Sequence, residues 1–238
     1  MTPKTVAIIG ASGAIGKAFI EALCQHSALE RLYAFSRSPI QLDDERVVAG
    51  TIDFDDQASV LAAADTIEAP LDLCLVTTGM LHTDEFGPEK SKKALELTQM
   101  ERIFKTNTFG PALCLRAFMP KMNQANPSIF AALSARVGSI GDNVYGGWYS
   151  YRASKAALNM LIKTASIEAK HRYKKTTIIG LHPGTVDSSL SKPFQSRVPE
   201  GKLFTSAYAA DCMMTVLSNV GPGDSGEVFA WDGERIEH

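Results

Sequence analysis

Short apolar runs alternate with longer stretches of helical periodicity from one end of the chain to the other. An apolar run of four to eight residues between turn residues reads as a strand covered on both faces. Apolar positions recurring every three to four residues read as a helix. On that basis the pattern predicts strands at 4–9, 31–36, 46–50, 71–77, 127–134, 176–182 and 227–231, and helices over 14–27, 56–66, 99–122, 149–172 and 205–219. Strands that alternate with helices in this way build an α/β fold, a doubly wound parallel sheet of about seven strands with helices on both faces. Its ligand crevice lies at the carboxyl ends of the strands. No repeat, low-complexity tract or linker interrupts the alternation, so one domain is expected over 1–238. Two segments stand outside the pattern: 81–98, polar and charged, and 187–204, rich in Ser, Lys, Pro and Arg and placed to act as a flap.

Composition narrows the possible partners. Of 238 residues 45% are hydrophobic and 21% charged, as in an ordinary globular protein, and the formal charge of −2 includes no block of one sign. Nucleic acid and an anionic membrane are therefore not expected partners. Cys24, Cys74, Cys114 and Cys212 are scattered without CxxC or metal-ligand spacing, which points to small buried residues in a reducing compartment and to no metal. Met1-Thr2-Pro3-Lys4 leads directly into the first strand without a leader pattern, so the expected location is the cytoplasm.

The first strand runs into Gly10-Ala11-Ser12-Gly13-Ala14-Ile15-Gly16, and a helix follows. Strand, glycine turn and helix form the setting in which such a motif binds a dinucleotide. The glycines let backbone approach a pyrophosphate, and the helix start offers unpaired N–H groups. The second strand ends at Ser36-Arg37-Ser38, where an NAD-binding chain would carry an acid for the ribose 2′-hydroxyl. A guanidinium among hydroxyls suits a 2′-phosphate instead and favours NADP(H) over NAD(H). Asp53-Phe54 follows the third strand, where Asp53 either receives an adenine amino group or caps the next helix. Thr77-Thr78-Gly79 closes the fourth strand, and a glycine there permits close passage of a ligand or a plain turn.

The chemistry-bearing segment is 128–159. A strand meets Ser134-Ala135-Arg136-Val137-Gly138-Ser139, a glycine-rich loop follows, and Tyr149-Ser150-Tyr151-Arg152-Ala153-Ser154-Lys155 opens a long helix. Tyr151 and Lys155 stand at i and i+4, on one helical face. A phenol titrates near 10 and gives up its proton poorly at neutral pH. An ammonium one turn away is expected to lower that value toward a useful range. Such a pair can protonate a carbonyl oxygen or deprotonate an alcohol. Tyr-xxx-Lys arises by chance in about one chain in three, so the placement of the pair after a strand end is the informative part. His182-Pro183-Gly184-Thr185-Val186 ends the sixth strand and bends the chain across the crevice, where a nicotinamide carboxamide could meet backbone.

Together these motifs resemble the short-chain dehydrogenase/reductase family over essentially the whole length. Gly147–Asn159 and Ala230-Trp231-Asp232-Gly233-Glu234 are similar to its C-factor-like, cell–cell-signalling branch. The resemblance implies a Rossmann-type sheet and hydride transfer between NADP(H) and a small carbonyl or alcohol substrate. It implies Tyr151 as general acid/base, Lys155 lowering its pKa and holding the nicotinamide ribose, and Asn107 positioning a water in a proton relay. Cofactor contacts would come from Gly10, Ser12, Gly13, Ala14, Ile15, Gly16, Ser36, Arg37, Ser38, Asp53, Phe54, Thr78, Gly79, Pro183, Gly184 and Val186, beside Tyr151 and Lys155. A homodimer or homotetramer through the helices at 99–122 and 149–172 is also implied.

Three positions depart from the family pattern. Ala14 stands where many members carry glycine, a spacing closer to the extended branch of sugar-nucleotide epimerases and dehydratases. The short segment after the last strand leaves little room for the lobe such enzymes need. Thr77-Thr78-Gly79 replaces Asn-Ala-Gly. Ala135 occupies the place of the serine that orients the substrate carbonyl. Ser134 is expected to take that role through a bulge at the strand end, with Ser139 the other option. The loss of the usual serine, with the C-factor likeness, raises the alternative of a cofactor-binding regulatory or signalling protein of C-factor type with weak or no turnover.

Overall fold

The computed structural model describes residues 3–38 and 40–238. Met1 and Thr2 lie outside the described residues, and with them the start of the lead into the first strand. The strands are β1 (Thr5–Ile9), β2 (Arg31–Ser36), β3 (Val47–Thr51), β4 (Leu73–Val76), β5 (Ser128–Leu133), β6 (Thr176–His182), β7 (Thr185–Val186), β8 (Leu203–Phe204), β9 (Val228–Ala230) and β10 (Arg235–Ile236). The helices are α1 (Ala14–Cys24), α2 (Gln57–Asp65), α3 (Leu97–Phe104), α4 (Gly110–Phe118), α5 (Tyr149–Arg172) and α6 (Ser206–Asn219).

Eight strands form one sheet in the order β10-β9-β6-β5-β4-β1-β2-β3, not the seven expected. All seven predicted strands pair in parallel. The eighth, β10, turns back antiparallel on β9, with Ile236 opposite Val228. It escaped the pattern because two residues carry no period. Crossovers place α1 and α6 on one face and α2, α4 and α5 on the other. Side chains alternate along β1: Val6 and Ile8 enter the first core with Phe19 and Leu23, while Ala7 and Ile9 enter the second with Phe118 and Ile162. The strand order reverses between β1 and β4. That switch point fixes the crevice beside Gly10 and Gly79.

The helix expected over 99–122 is broken. α3 passes into a π-helical turn at Lys105–Phe109, then α4, then a 3-10 turn at Met119–Lys121. The cause is Pro111, which has no N–H to close the i→i−4 bond onto the Asn107 carbonyl. Gly110 N reaches back five residues to Lys105 instead. The 187–204 segment is tied down by its ends, since β7 and β8 pair as a small parallel sheet of their own. No helix among the described residues is long and apolar enough to cross a membrane.

Candidate active site

The glycine turn is held mainly by main chain, with one side-chain bond from the Thr77 hydroxyl to the Gly10 carbonyl at 3.2 Å. Gly10 N and Ala11 N both donate to the Phe35 carbonyl, at 2.9 and 3.0 Å, and Gly13 N donates to Gly10 O at 3.0 Å. α1 starts at Ala14 with Gly13 as its N-cap and no side chain closing it, so the N–H groups of Ala14, Ile15 and Gly16 have no intrahelical partner. Gly10 sits at φ +94, and a Cβ there would lie 2.7 Å from Thr77 Oγ1; one on Gly16 would strike the Gly10 carbonyl. Ser12 is exposed at the tip of the turn.

The predicted adenosine side is open surface. Arg37 and Ser38 are exposed, and Arg37 makes no ion pair among the described residues, whereas Ser36 is buried and donates its hydroxyl to the Ser38 carbonyl at 2.6 Å. Asp53 is not the helix cap: Asp56 caps α2 by accepting from Ala58 N, while Asp53 Oδ1 accepts from Asp55 N at 2.9 Å. Phe54 lies against Gly110, at a place where any Cβ would overlap its ring.

A cavity of about 640 Å³ opens over the sheet rim. Its walls bring together Gly13, Ala14 and Ile15, Thr78 and Gly79, Tyr151 and Lys155, and the stretch from His182 to Val186. Four separate predicted motifs thus meet in one space. Tyr151 and Lys155 are both buried, and Lys155 Nζ donates to the Leu133 carbonyl at 2.7 Å, 5.8 Å from the centre of the Tyr151 ring. Burial lowers Lys155 to about 7 and raises the Tyr151 phenol to about 12. The phenol was expected to move the other way. Desolvation outweighs the nearby amine, because the same burial weakens the amine's own hold on its proton.

The start of α5 depends on a residue the sequence did not single out. Trp148, its N-cap, takes a left-handed conformation at φ 50 and offers no side-chain cap. Glu89, from the 81–98 excursion, supplies one. Its buried carboxylate accepts from Ser150 N at 3.2 Å and from the Ser150 hydroxyl, and its carbonyl accepts from Trp148 N at 2.6 Å. A carboxylate at a helix start also meets the positive end of the helix dipole. Nothing in the sequence separates Glu89 from its solvated neighbours, since the contact spans 61 positions.

Other predicted residues are engaged elsewhere. Asn107 is fully buried inside the π turn and does not line the cavity: its Oδ1 accepts from Met80 N at 2.7 Å, and its Nδ2 donates to Met80 O at 2.8 Å and Ser154 Oγ at 3.0 Å. It clamps the turn after β4 to α5. Ser134 lines the cavity, with its hydroxyl donated to Asn159 Oδ1 at 2.5 Å, while Ser139 is not among the lining residues and its Oγ accepts from Asp142 N at 3.1 Å. The side chain packed with Tyr151 is that of Ala135, together with Leu81. Two buried polar atoms lining the cavity, Thr78 Oγ1 and His182 Nδ1, have no protein partner among the described residues. Burial brings His182 down to about 4, so its imidazole is neutral at pH 7. Gly184, at φ +76, leaves room for the Phe204 ring, 2.6 Å from where a Cβ would stand.

Comparison with known proteins agrees with this geometry. A family model described as short chain dehydrogenase matches residues 4–198. A 1-hydroxy-2-glutathionyl-2-methyl-3-butene dehydrogenase of Rhodococcus sp. (strain AD45) is 31% identical over 191 residues, covering 78% of each chain. C-signal of Myxococcus xanthus is 30% identical over 142 residues, 60% of this chain and 80% of its own. The crystal structure of NADPH-bound carbonyl reductase from chicken fatty liver superposes with a TM-score of 0.85 at 25% identity, covering 99% of this chain and 94% of that one. The chain belongs to the short-chain dehydrogenase family, with a C-factor-like relative in C-signal, and it is an oxidoreductase built for a nicotinamide cofactor.

Proposed function

We propose that the protein is an NADP(H)-dependent carbonyl reductase or alcohol dehydrogenase in which Tyr151 is the general acid and base. The observation that carries this reading is the shared cavity: Tyr151 and Lys155 face the same space as the helix start at Gly13–Ile15 and the strand ends at Thr78–Gly79 and His182–Val186. The residues fit the cofactor. The turn at Gly10 and Gly16 is a cradle that Cβ atoms would fill, and Thr78 Oγ1 and His182 Nδ1 are orphaned where a polar ring substituent would sit. The free N–H groups of α1 would hold the pyrophosphate, Arg37 the 2′-phosphate, Lys155 the ribose, and Pro183–Val186 the carboxamide. The bound nicotinamide supplies the hydride.

The chain's own work is the proton. At about 12 the Tyr151 phenol stays protonated across the physiological range, ready to donate to a carbonyl oxygen at the cavity floor. The NADP preference rests on Arg37, exposed just after β2 and without an ion pair among the described residues, and on the absence of an acid from the sequence at 36–38. A second reading, a cofactor-binding regulatory protein of weak turnover, is favoured by the apolar surroundings of Tyr151: Ala135 beside it, and the Ser134 hydroxyl held by Asn159.

One experiment separates the two. A panel of aldehydes and ketones is assayed with NADPH for the wild type and Tyr151→Phe, with thermal shifts by NADPH and NADH measured alongside. Enzyme action predicts a loss of roughly 100- to 10,000-fold on removing the phenol hydroxyl, with nucleotide-induced stabilisation retained. Cofactor binding with no Tyr151-dependent turnover on any substrate gives the regulatory reading. An NADH shift equal to or larger than the NADPH shift overturns the NADP preference.

A further inference from the structure

The wall above Tyr151 continues outward into a second cavity of about 930 Å³, framed by the segments 82–90 and 193–202. Trp148, Thr185 and Phe194 line both spaces, so the outer cavity adjoins the inner one across those three side chains. We propose that the outer cavity binds an anionic tail of the substrate, so that the preferred carbonyl compound has an apolar body around the reacting carbon and a carboxylate beyond it. This rests on the reading of the inner cavity as a carbonyl site.

The two spaces differ in chemistry. The substrate side of the inner cavity is apolar and aromatic. Leu81, Ala135 and Tyr151 form a small buried core with Trp148, Leu190 and Phe194 against it. The Trp148 ring meets Phe194 at 5.2 Å and Tyr151 edge-on at 6.2 Å between centroids. A polar or charged head would lose its hydration against that core, and the charged side chains elsewhere on the same lining are already engaged, Arg136 with Asp142 and Arg152 with the Gly146 and Gly147 carbonyls. The outer cavity instead gathers cations on a chain whose overall charge is −2. Lys90, Arg197 and Lys202 line it, and none has an acid within ion-pair distance among the described residues. Of the two acids on the same wall, Glu85 is paired with Arg102, which leaves Asp84 alone against three cations.

The cations stand on a tied scaffold. β7 and β8 pin both ends of the 187–202 segment, and Ser191 Oγ donates to the Val186 carbonyl at 2.5 Å. His82 Nε2 bridges the two walls, reaching the carbonyls of Ser189 and Leu190 at 3.2 and 3.1 Å. Lys202 Nζ lies 5.9 Å from the centre of the Trp231 ring, which keeps it against the protein. Arginine offers the planar fork that matches a carboxylate. A substrate that filled only the inner space would leave these charges without a role.

The test compares para-formylphenoxyacetate with its methyl ester, a pair sharing the aldehyde and ring and differing in charge. With NADPH at low ionic strength, kcat/KM for the acid should exceed that for the ester by roughly fivefold, the size of two solvent-touched charge contacts. The ratio should fall toward one as salt is added and in the double variant Arg197→Gln/Lys202→Gln. An ester turned over as well as the acid, or a ratio unmoved in the double variant, overturns the proposal. Calorimetric titration of both compounds reads the tail contact without turnover. If neither aldehyde is reduced and the wider panel also shows no Tyr151-dependent turnover, the carbonyl reading of the inner site fails. Tighter binding of the acid, lost in the double variant, still supports the tail site, and equal binding refutes it.

Discussion

The two walls of the crevice are made of different material. The wall rising from Gly10 is mostly main chain: three backbone bonds and one from the Thr77 hydroxyl fix the turn, and α1 presents bare N–H groups. The wall over Tyr151 is side chain, assembled from Glu89, Ala135, Trp148 and Phe194, which arrive from four separate loops and helix ends. The first can bind a group common to many reactions, because peptide geometry does not depend on the residues around it. The second carries whatever selects a substrate and holds the proton donor in place. Damage to the first should abolish nucleotide binding. Damage to the second should spare binding and impair turnover.

The largest effect is expected at Gly16. A Cβ there meets the Gly10 carbonyl, which cannot yield without opening the bonds to Phe35. Gly16→Val should destabilise the protein by about 3 kcal/mol. Its nucleotide-induced thermal shift should also disappear. A normal NADPH shift in a folded Gly16→Val protein would show that the cradle is not where the phosphates lie.

The next effect belongs to the other wall. Glu89→Ala leaves the Ser150 N–H and hydroxyl buried without their acceptor, a loss of about 2 kcal/mol read from urea unfolding. Because Ser150 adjoins Tyr151, turnover should fall more than nucleotide affinity does, and Glu89→Gln, which keeps an acceptor oxygen, should recover part of both losses. Equal falls in NADPH affinity and in kcat would mean that Glu89 supports the fold at large and not the start of α5.

The same contrast explains what the sequence reveals. β2, β6 and α5 fall at the predicted residues because local period and boundary chemistry decide them. The glycine turn is legible because the spacing of Gly10, Gly13 and Gly16 is local, although two of its bonds reach across to Phe35. The site above Tyr151 is less so. Glu89 reads as one more acid in a charged stretch, yet it reaches α5 from 61 positions away. Ser134 reaches the cavity lining, but the partner its hydroxyl finds there, Asn159, is set by packing between β5 and α5. The break at 105–109 was within reach, since Pro111 stands one turn after Asn107 and denies it a hydrogen bond. The expected fall in the Tyr151 pKa failed because spacing shows a charged neighbour and conceals how dry both groups are.

Lys155 joins the two walls and gives the smallest effect of the three. Its ordinary pKa is 10.5, and burial takes it to about 7. Between those values the unfolded chain holds a proton that the folded one has lost, so stability rises with pH through that window. Below it both states are charged, and the folded state bears the whole cost of the buried ammonium. From pH 7 to 8 the gain should be about 1 kcal/mol. It should appear as a rising urea midpoint in the wild type, measured without added nucleotide, and vanish in Lys155→Met. Tyr151 stays protonated across that interval with an ordinary value of 10 and a raised one of about 12, and any histidine contribution is common to both proteins and cancels in the comparison. Parallel slopes in the two proteins would mean that Lys155 keeps its full charge beside the phenol. The lowering of the Tyr151 pKa would then follow from the ammonium alone, and the dry floor of the crevice would lose its part in holding the phenol's proton.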